Sequence, residues 1–315
     1  MSDLSKRRFL QLTAASVAAL TLSACGGGDD DPHDVVEAIR SDKNLSVLAE
    51  ALDAAGLSAT LRTGGPYTVF APTNEAFTAL LAELGVSKAA LFADRALLTA
   101  VLTYHVLGAR VKAADIPFGK AITTVEGDVF KISSGAKPFI TDGRNRTANI
   151  TTTDRDGGNG VIHVIDKVIL PANKDIVATA QGISDFSTLV DAVLAAGLVS
   201  TLQGAGPFTV FAPTNAAFSA ALTELNVDAA TLFADTTLLA RILTYHVVPG
   251  RVFKAEVPVG SPITTAQGDT LTVNASLQIT DQVGRTANIS ATDVLTSNGV
   301  IHVIDKVILP TGVIV

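Results

Sequence analysis

Leu48, Ala51, Leu52 and Ala55 fall at i, i+3, i+4 and i+7, the period of one helix face. This spacing predicts a helix over 46–55 that stops at Gly56. The run 67–71 is aromatic and β-branched, so it predicts a strand, and Pro72 ends it. Thr73 or Asn74 can then cap a second helix that buries Phe77, Leu80, Leu81 and Leu84 and closes at Gly85. A third helix is expected from about 93 to 106, with Leu97, Leu98, Val101 and Leu102 on its buried side. Beyond it the pattern changes. Short runs at 121–124, 129–133, 148–152 and 161–170, separated by Gly- and Asn-rich turns, predict strands. Helices come early and strands late, without regular alternation, which implies an α+β fold.

The same pattern then recurs. Thr68 through Asn74 (TVFAPTN) reappears at 209–215, and Thr103 through Val106 (TYHV) at 244–247, both 141 residues on. Arg146 through Ile150 and Asn159 through Pro171 (NGVIHVIDKVILP) reappear 139 residues on. A two-residue deletion in the second copy, between about 129 and 141, accounts for the change. A unit of about 140 residues is too long for a solenoid repeat. The chain therefore reads as a duplicated domain, with modules at 33–171 and 174–315.

Composition supports two folded modules. Of 315 residues, 48% are hydrophobic and 17% charged, enough apolar material for two cores. The net charge of −7 argues against nucleic-acid binding, which needs a basic face. Cys25 is the one cysteine, so no intramolecular disulfide and no multi-cysteine metal site is expected. No cofactor is expected either.

The N-terminus reads as an address. Lys6, Arg7 and Arg8 precede an apolar run from about Phe9 to Leu22, too short to span a bilayer as a helix. This fits a secretory signal over 1–24. Leu22-Ser23-Ala24-Cys25 resembles a bacterial lipobox, in which the cysteine takes the lipid and becomes the new N-terminus. Residues 25–32, with three glycines and three aspartates, would be a solvated tether. Ser5 through Leu10 also looks like a twin-arginine export signal with lysine in the first arginine position, so either export route remains open. An exported protein, lipid-anchored to the cell envelope at the outer membrane or cell surface, is expected, with a periplasmic facing as the alternative.

TVFAPTN, TYHV and NGVIHVIDKVILP, in that order and twice over, resemble the fasciclin domain across nearly all of the chain after the tether. The resemblance implies two tandem modules, each a β-wedge or sandwich with packed helices. It also implies a secreted or membrane-anchored protein of adhesion or extracellular matrix. Tyr104-His105 and Tyr245-His246 resemble the family's tyrosine-histidine motif, which the family ties to receptor binding. Asn173-Lys174-Asp175-Ile176-Val177 resembles an integrin-contact motif of animal members.

The residues themselves admit plainer readings. His105 follows Val101 by four and Leu102 by three, so it shares their buried stripe and can be a core imidazole, a ligand or a base. Asp175 sits where a helix begins and is explained by capping. His163 and Asp166 point to opposite faces of a strand and cannot form a local acid–base pair. No G-x-S-x-G, phosphate-cradling loop or H-E-x-x-H motif occurs. The expected function is non-catalytic adhesion to a surface protein or polysaccharide. The alternatives are a periplasmic small-ligand or accessory protein and, more remotely, an exported hydrolase.

Overall fold

The computed structural model describes residues 34–313. Cys25, the secretory signal and the tether lie outside the described residues. The first module opens with α1 (Val35–Ser41), α2 (Ser46–Ala55) and α3 (Ser58–Thr63), then β1 (Tyr67–Pro72). Next come α4 (Asn74–Leu84), α5 (Lys88–Ala93), α6 (Arg95–Tyr104) and β2 (Val106–Leu107). Strands β3 (Ala121–Thr123), β4 (Val129–Ser133), β5 (Phe139–Thr141), β6 (Thr147–Asp156) and β7 (Gly160–Ile165) follow. The second module repeats this order with α7 (Ile176–Gln181), α8 (Ser187–Ala195), α9 (Val199–Leu202), β8 (Phe208–Pro213), α10 (Asn215–Leu225), α11 (Ala229–Ala234) and α12 (Thr236–Tyr245). Its later strands are β9 (Val247–Pro249), β10 (Pro262–Thr264), β11 (Thr270–Val273), β12 (Gln278–Thr280), β13 (Thr286–Thr296) and β14 (Gly299–Ile304).

Each module is α+β. Its strands form one seven-stranded sheet, ordered β2-β1-β7-β6-β5-β4-β3 in the first and equivalently in the second. The sheet curls until its edges meet: Val125 N–H donates to Val106 O at 2.8 Å, and Ala266 N–H to Val247 O at 2.7 Å. Closure of this kind removes exposed strand edges.

The curl gives each module two cores. In the first, Phe70, Tyr104, Leu107, Ile122, Phe130 and Ile140 fill the inside of the curled sheet. Val69, Ala71, Ile162 and Val164 face outward and pack against helix residues such as Val36, Leu48, Leu52 and Leu98. Strands β1 and β7 pair in parallel and are buried on both faces. That is why both read as continuous apolar runs. Gly160 lies in this pair because a Cβ there would approach Tyr67 O to 2.7 Å.

The polar residues of the repeated motifs are spent inside the fold. Thr73 Oγ1 accepts from Ala76 N–H and caps α4. Asn74 accepts from Val47 N–H and donates to Lys43 O, tying α4 to the start of α2. Asn159 accepts from Val35 N–H and donates to Leu61 O and Gly64 O. Thr214, Asn215 and Asn298 make the equivalent bonds in the second module.

Four expectations need correction. The third helix is two, α5 and α6, because Asp94 leaves the helical path and caps α6 through Leu97 N–H. Leu97 sits in the first turn of α6 and is 38% exposed; Leu84, in the last turn of α4, is 36% exposed. Neither joins the core. The run 161–170 is strand only to Ile165. After it, Ile169 N–H donates to His105 Nε2 and Leu170 N–H to Asp142 Oδ2, so side chains take the place of a partner strand. Strand β5 lies in the stretch where the repeat offset changes; the second module's shorter β11–β12 turn absorbs the deletion.

Candidate functional site

The tyrosine-histidine motif ends α6 and α12. Tyr104 and His105 are 0% and 1% exposed, and Tyr245 and His246 are 0% and 2%. Tyr104 Oη donates to Val129 O at 2.8 Å and accepts from Gly143 N–H at 2.8 Å. One hydroxyl thereby pins the helix end to the sheet and to the loop after β5. Burial, with the nearby carboxylates of Asp128 and Asp142, raises its pKa well above the usual value. Tyr245 donates to Thr270 O in the same way, and burial raises its pKa too.

His105 Nδ1 lies 2.7 Å from Val101 O, which can only accept, so this nitrogen carries the proton. Its Nε2 accepts from Ile169 N–H at 3.1 Å. His246 repeats both bonds with Ile242 O and Ile308 N–H. Burial pushes both imidazoles down to about 4, so they are neutral at physiological pH. His163 and His302 are also buried and use the other tautomer. Nε2 donates to Val111 O or Val252 O, and Nδ1 accepts from the N–H of Asp154 or Asp293. All four described histidines thus have both ring nitrogens engaged. Asp166 is apart from them and holds Asn149 through its N–H and side-chain amide. Among the described residues no three His, Cys, Asp or Glu side chains converge as a metal site.

In the second candidate segment Ile176 is buried. Asp175 caps α7 by accepting from Ala178 N–H at 2.7 Å. Asn173 and Lys174 are exposed and face solvent between the modules.

The sequence reading missed the contact between modules. Strand β13 is irregular, and Asp293 sits in that irregularity with φ 60°. The bulge aims its carboxylate outward. Oδ1 accepts from Lys254 N–H at 2.7 Å, and Oδ2 pairs with Lys131 Nζ of the first module at 2.8 Å. Asn145 reaches across to Leu295, donating to its O at 3.0 Å and accepting from its N–H at 2.6 Å. Phe253 is fully buried among Val129, Ala121 and Leu295. The signal was there in chemical differences between the copies. Phe253 stands where the first copy has Lys112, Thr272 where it has Lys131, and Gly284 where it has Asn145.

A family model for the fasciclin domain matches residues 43–171 and 184–310. Transforming growth factor-beta-induced protein ig-h3 of Sus scrofa is 33% identical over 250 residues, 78% of this chain and 35% of that protein. Periostin of Homo sapiens is 29% identical over 274 residues, 85% of this chain and 30% of that protein. Protein sll1483 of Synechocystis is 44% identical over 166 residues, 52% of this chain and 85% of that protein. The chain spans about a third of the length of the first curated relatives it matches. A solved FAS1 domain pair from the insect cell adhesion molecule fasciclin I aligns over 89% of this chain with TM-score 0.42 and 17% identity. The chain belongs to the fasciclin-domain family and carries two of its domains in tandem.

Proposed function

We propose that the chain is a non-catalytic surface protein, exported and lipid-anchored through Cys25, that adheres to a surface protein or polysaccharide. One observation carries the reading. The tyrosines and histidines of the shared motifs are buried and engaged in holding each module together, and the exposed Asp166 and Asp305 are spent on Asn149 and Asn288. What the fold offers to a partner is therefore its exposed surface, presented twice on one tandem unit. Adhesion is also what the family resemblance implies. Beads coated with the purified full-length chain test it. They should attach to the organism's own cells or matrix more than beads coated with an unrelated acidic protein, and equal attachment would refute the reading.

A second reading, a carrier of a small apolar ligand, is favoured by a slot in the second module. It is lined by Ile176, Leu189, Val193, Leu194 and Val199 and holds only about 30 Å³ of free space as it stands, so an apolar ligand would have to widen it. The first module has the polar Asp53 and Ser58 where the second has Leu194 and Val199, and Ser58 Oγ donates to Asp53 at 2.6 Å. A rise in melting temperature with a long-chain fatty acid would support the carrier.

A further inference from the structure

A polar cleft of about 450 Å³ opens at the module junction. Arg144 and Asn145 line it from the first module, Asn173 and Lys174 from the linker, and Thr179 and Leu295 from the second module. Its size suits a small-molecule site. No acidic residue lines it, although the chain as a whole carries −7. Among the described residues neither Arg144 nor Lys174 enters an ion pair. Arg144 Nε donates to Pro171 O at 3.4 Å, which steadies the side chain and leaves its terminal amino groups for another partner. Burial, then the neighbouring Arg146, push the Arg144 guanidinium below its usual value, with Asp142 and Glu83 offsetting part of this.

The cleft is held in shape before any ligand arrives. The paired bonds between Asn145 and Leu295 fix one wall, and Ser297 N–H donates to Lys174 O at 2.9 Å on the other. Among the described residues its basic lining is not repeated in the second module. The second copy has Val283 and Gly284 at the positions of Arg144 and Asn145.

We propose that this junction cleft binds an acidic saccharide, with a uronate carboxylate held between Arg144 and Lys174. A guanidinium fork matches a carboxylate in two parallel hydrogen bonds, and an ammonium adds a compact second charge. Asn173 and Thr179 supply the amide and hydroxyl groups that sugar hydroxyls need. Ile183 and Val294, both only partly buried, supply an apolar face for the C–H side of a pyranose ring. The assignment deepens the adhesive reading by naming a ligand chemistry. It is measured on purified protein without cells, so its failure and a failure of attachment are separate results.

The test is calorimetric titration of the full-length chain with a galacturonate trisaccharide, the neutral galactose trisaccharide and a glutamate tripeptide. The galacturonate should bind at least about tenfold tighter than the neutral sugar, and weaken as salt rises from about 50 to about 500 mM. Arg144→Gln with Lys174→Gln should weaken it by about tenfold or more while the melting temperature stays within about 2 °C. Lys43→Gln, removal of an exposed cation outside the cleft, should leave binding in place. Equal affinity for acidic and neutral sugars, or unchanged binding in the double variant, would overturn the site. Glutamate peptide bound as tightly as galacturonate would overturn the saccharide assignment in favour of an acidic protein segment.

Discussion

Lys131 of the first module and Asp293 of the second meet at 2.8 Å with side-chain exposures of 13% and 3%. The first module carries the same bulge aspartate, Asp154, which accepts from Ala113 N–H just as Asp293 accepts from Lys254 N–H. There the carboxylate stays exposed. In the second module it is covered by the first and has gained a cation. Duplication thus turned a local backbone anchor into a joint.

Removing the cation should break that joint. Lys131→Met leaves a buried carboxylate with one N–H donor, that of Lys254, and no counter-charge, and should cost roughly 2–4 kcal/mol. Differential scanning calorimetry should show the first and second modules melting more separately than in the wild type. A double-mutant cycle with Asp293→Asn should return a coupling well above the roughly 0.5 kcal/mol of an exposed pair. Additive effects would mean that the pair does not hold the modules together.

Acid should destabilise both modules in one pH window. In the unfolded chain His105 and His246 take a proton near 6.5, whereas in the folded chain they resist it down to about 4. Between those values the unfolded state binds more protons, so stability falls as pH falls, by up to about 1.4 kcal/mol per pH unit for each histidine. His105→Gln should flatten this slope in the first module. A melting temperature constant from pH 6.5 to 4 would contradict the buried neutral imidazoles.

The duplicated asparagines should be expensive to lose. Asn159→Ala leaves Val35 N–H, Leu61 O and Gly64 O without their shared partner and should cost about 2–3 kcal/mol in chemical denaturation. Asn298→Ala should do the same to the second module. A cost under about 0.5 kcal/mol would show that these bonds are replaceable by water.

Much of this fold was legible because it rests on local signals. The helix periodicity of α2, the cap at Thr73 and the closing Gly85 place those elements within a residue or two. What was not legible depends on distant partners. Nothing near Ile169 and Leu170 shows that their N–H groups will bond to His105 and Asp142 rather than to a strand. Leu97 fits the apolar period of α6 yet faces outward from its first turn, because Asp94 reset the helix start. The module joint is hidden for the same reason. Lys131, Asn145 and Phe253 look like ordinary surface positions until the tandem partner is placed against them.

Cys25→Ser should move the protein from the membrane fraction to the soluble fraction of fractionated cells. The acyl chains it would carry supply about 0.8 kcal/mol per buried methylene, and among the described residues no helix is long and apolar enough to replace them. A variant that stays with the membrane would refute the lipid anchor.

The most direct test of the adhesive function is attachment of living cells. Surface-bound and aggregated cells would be counted for the wild type, a deletion strain, and the deletion complemented with the full-length chain. The account predicts a drop on deletion that complementation restores, and restoration by a His105→Gln chain for as long as that chain remains folded. Attachment unchanged by deletion would contradict it.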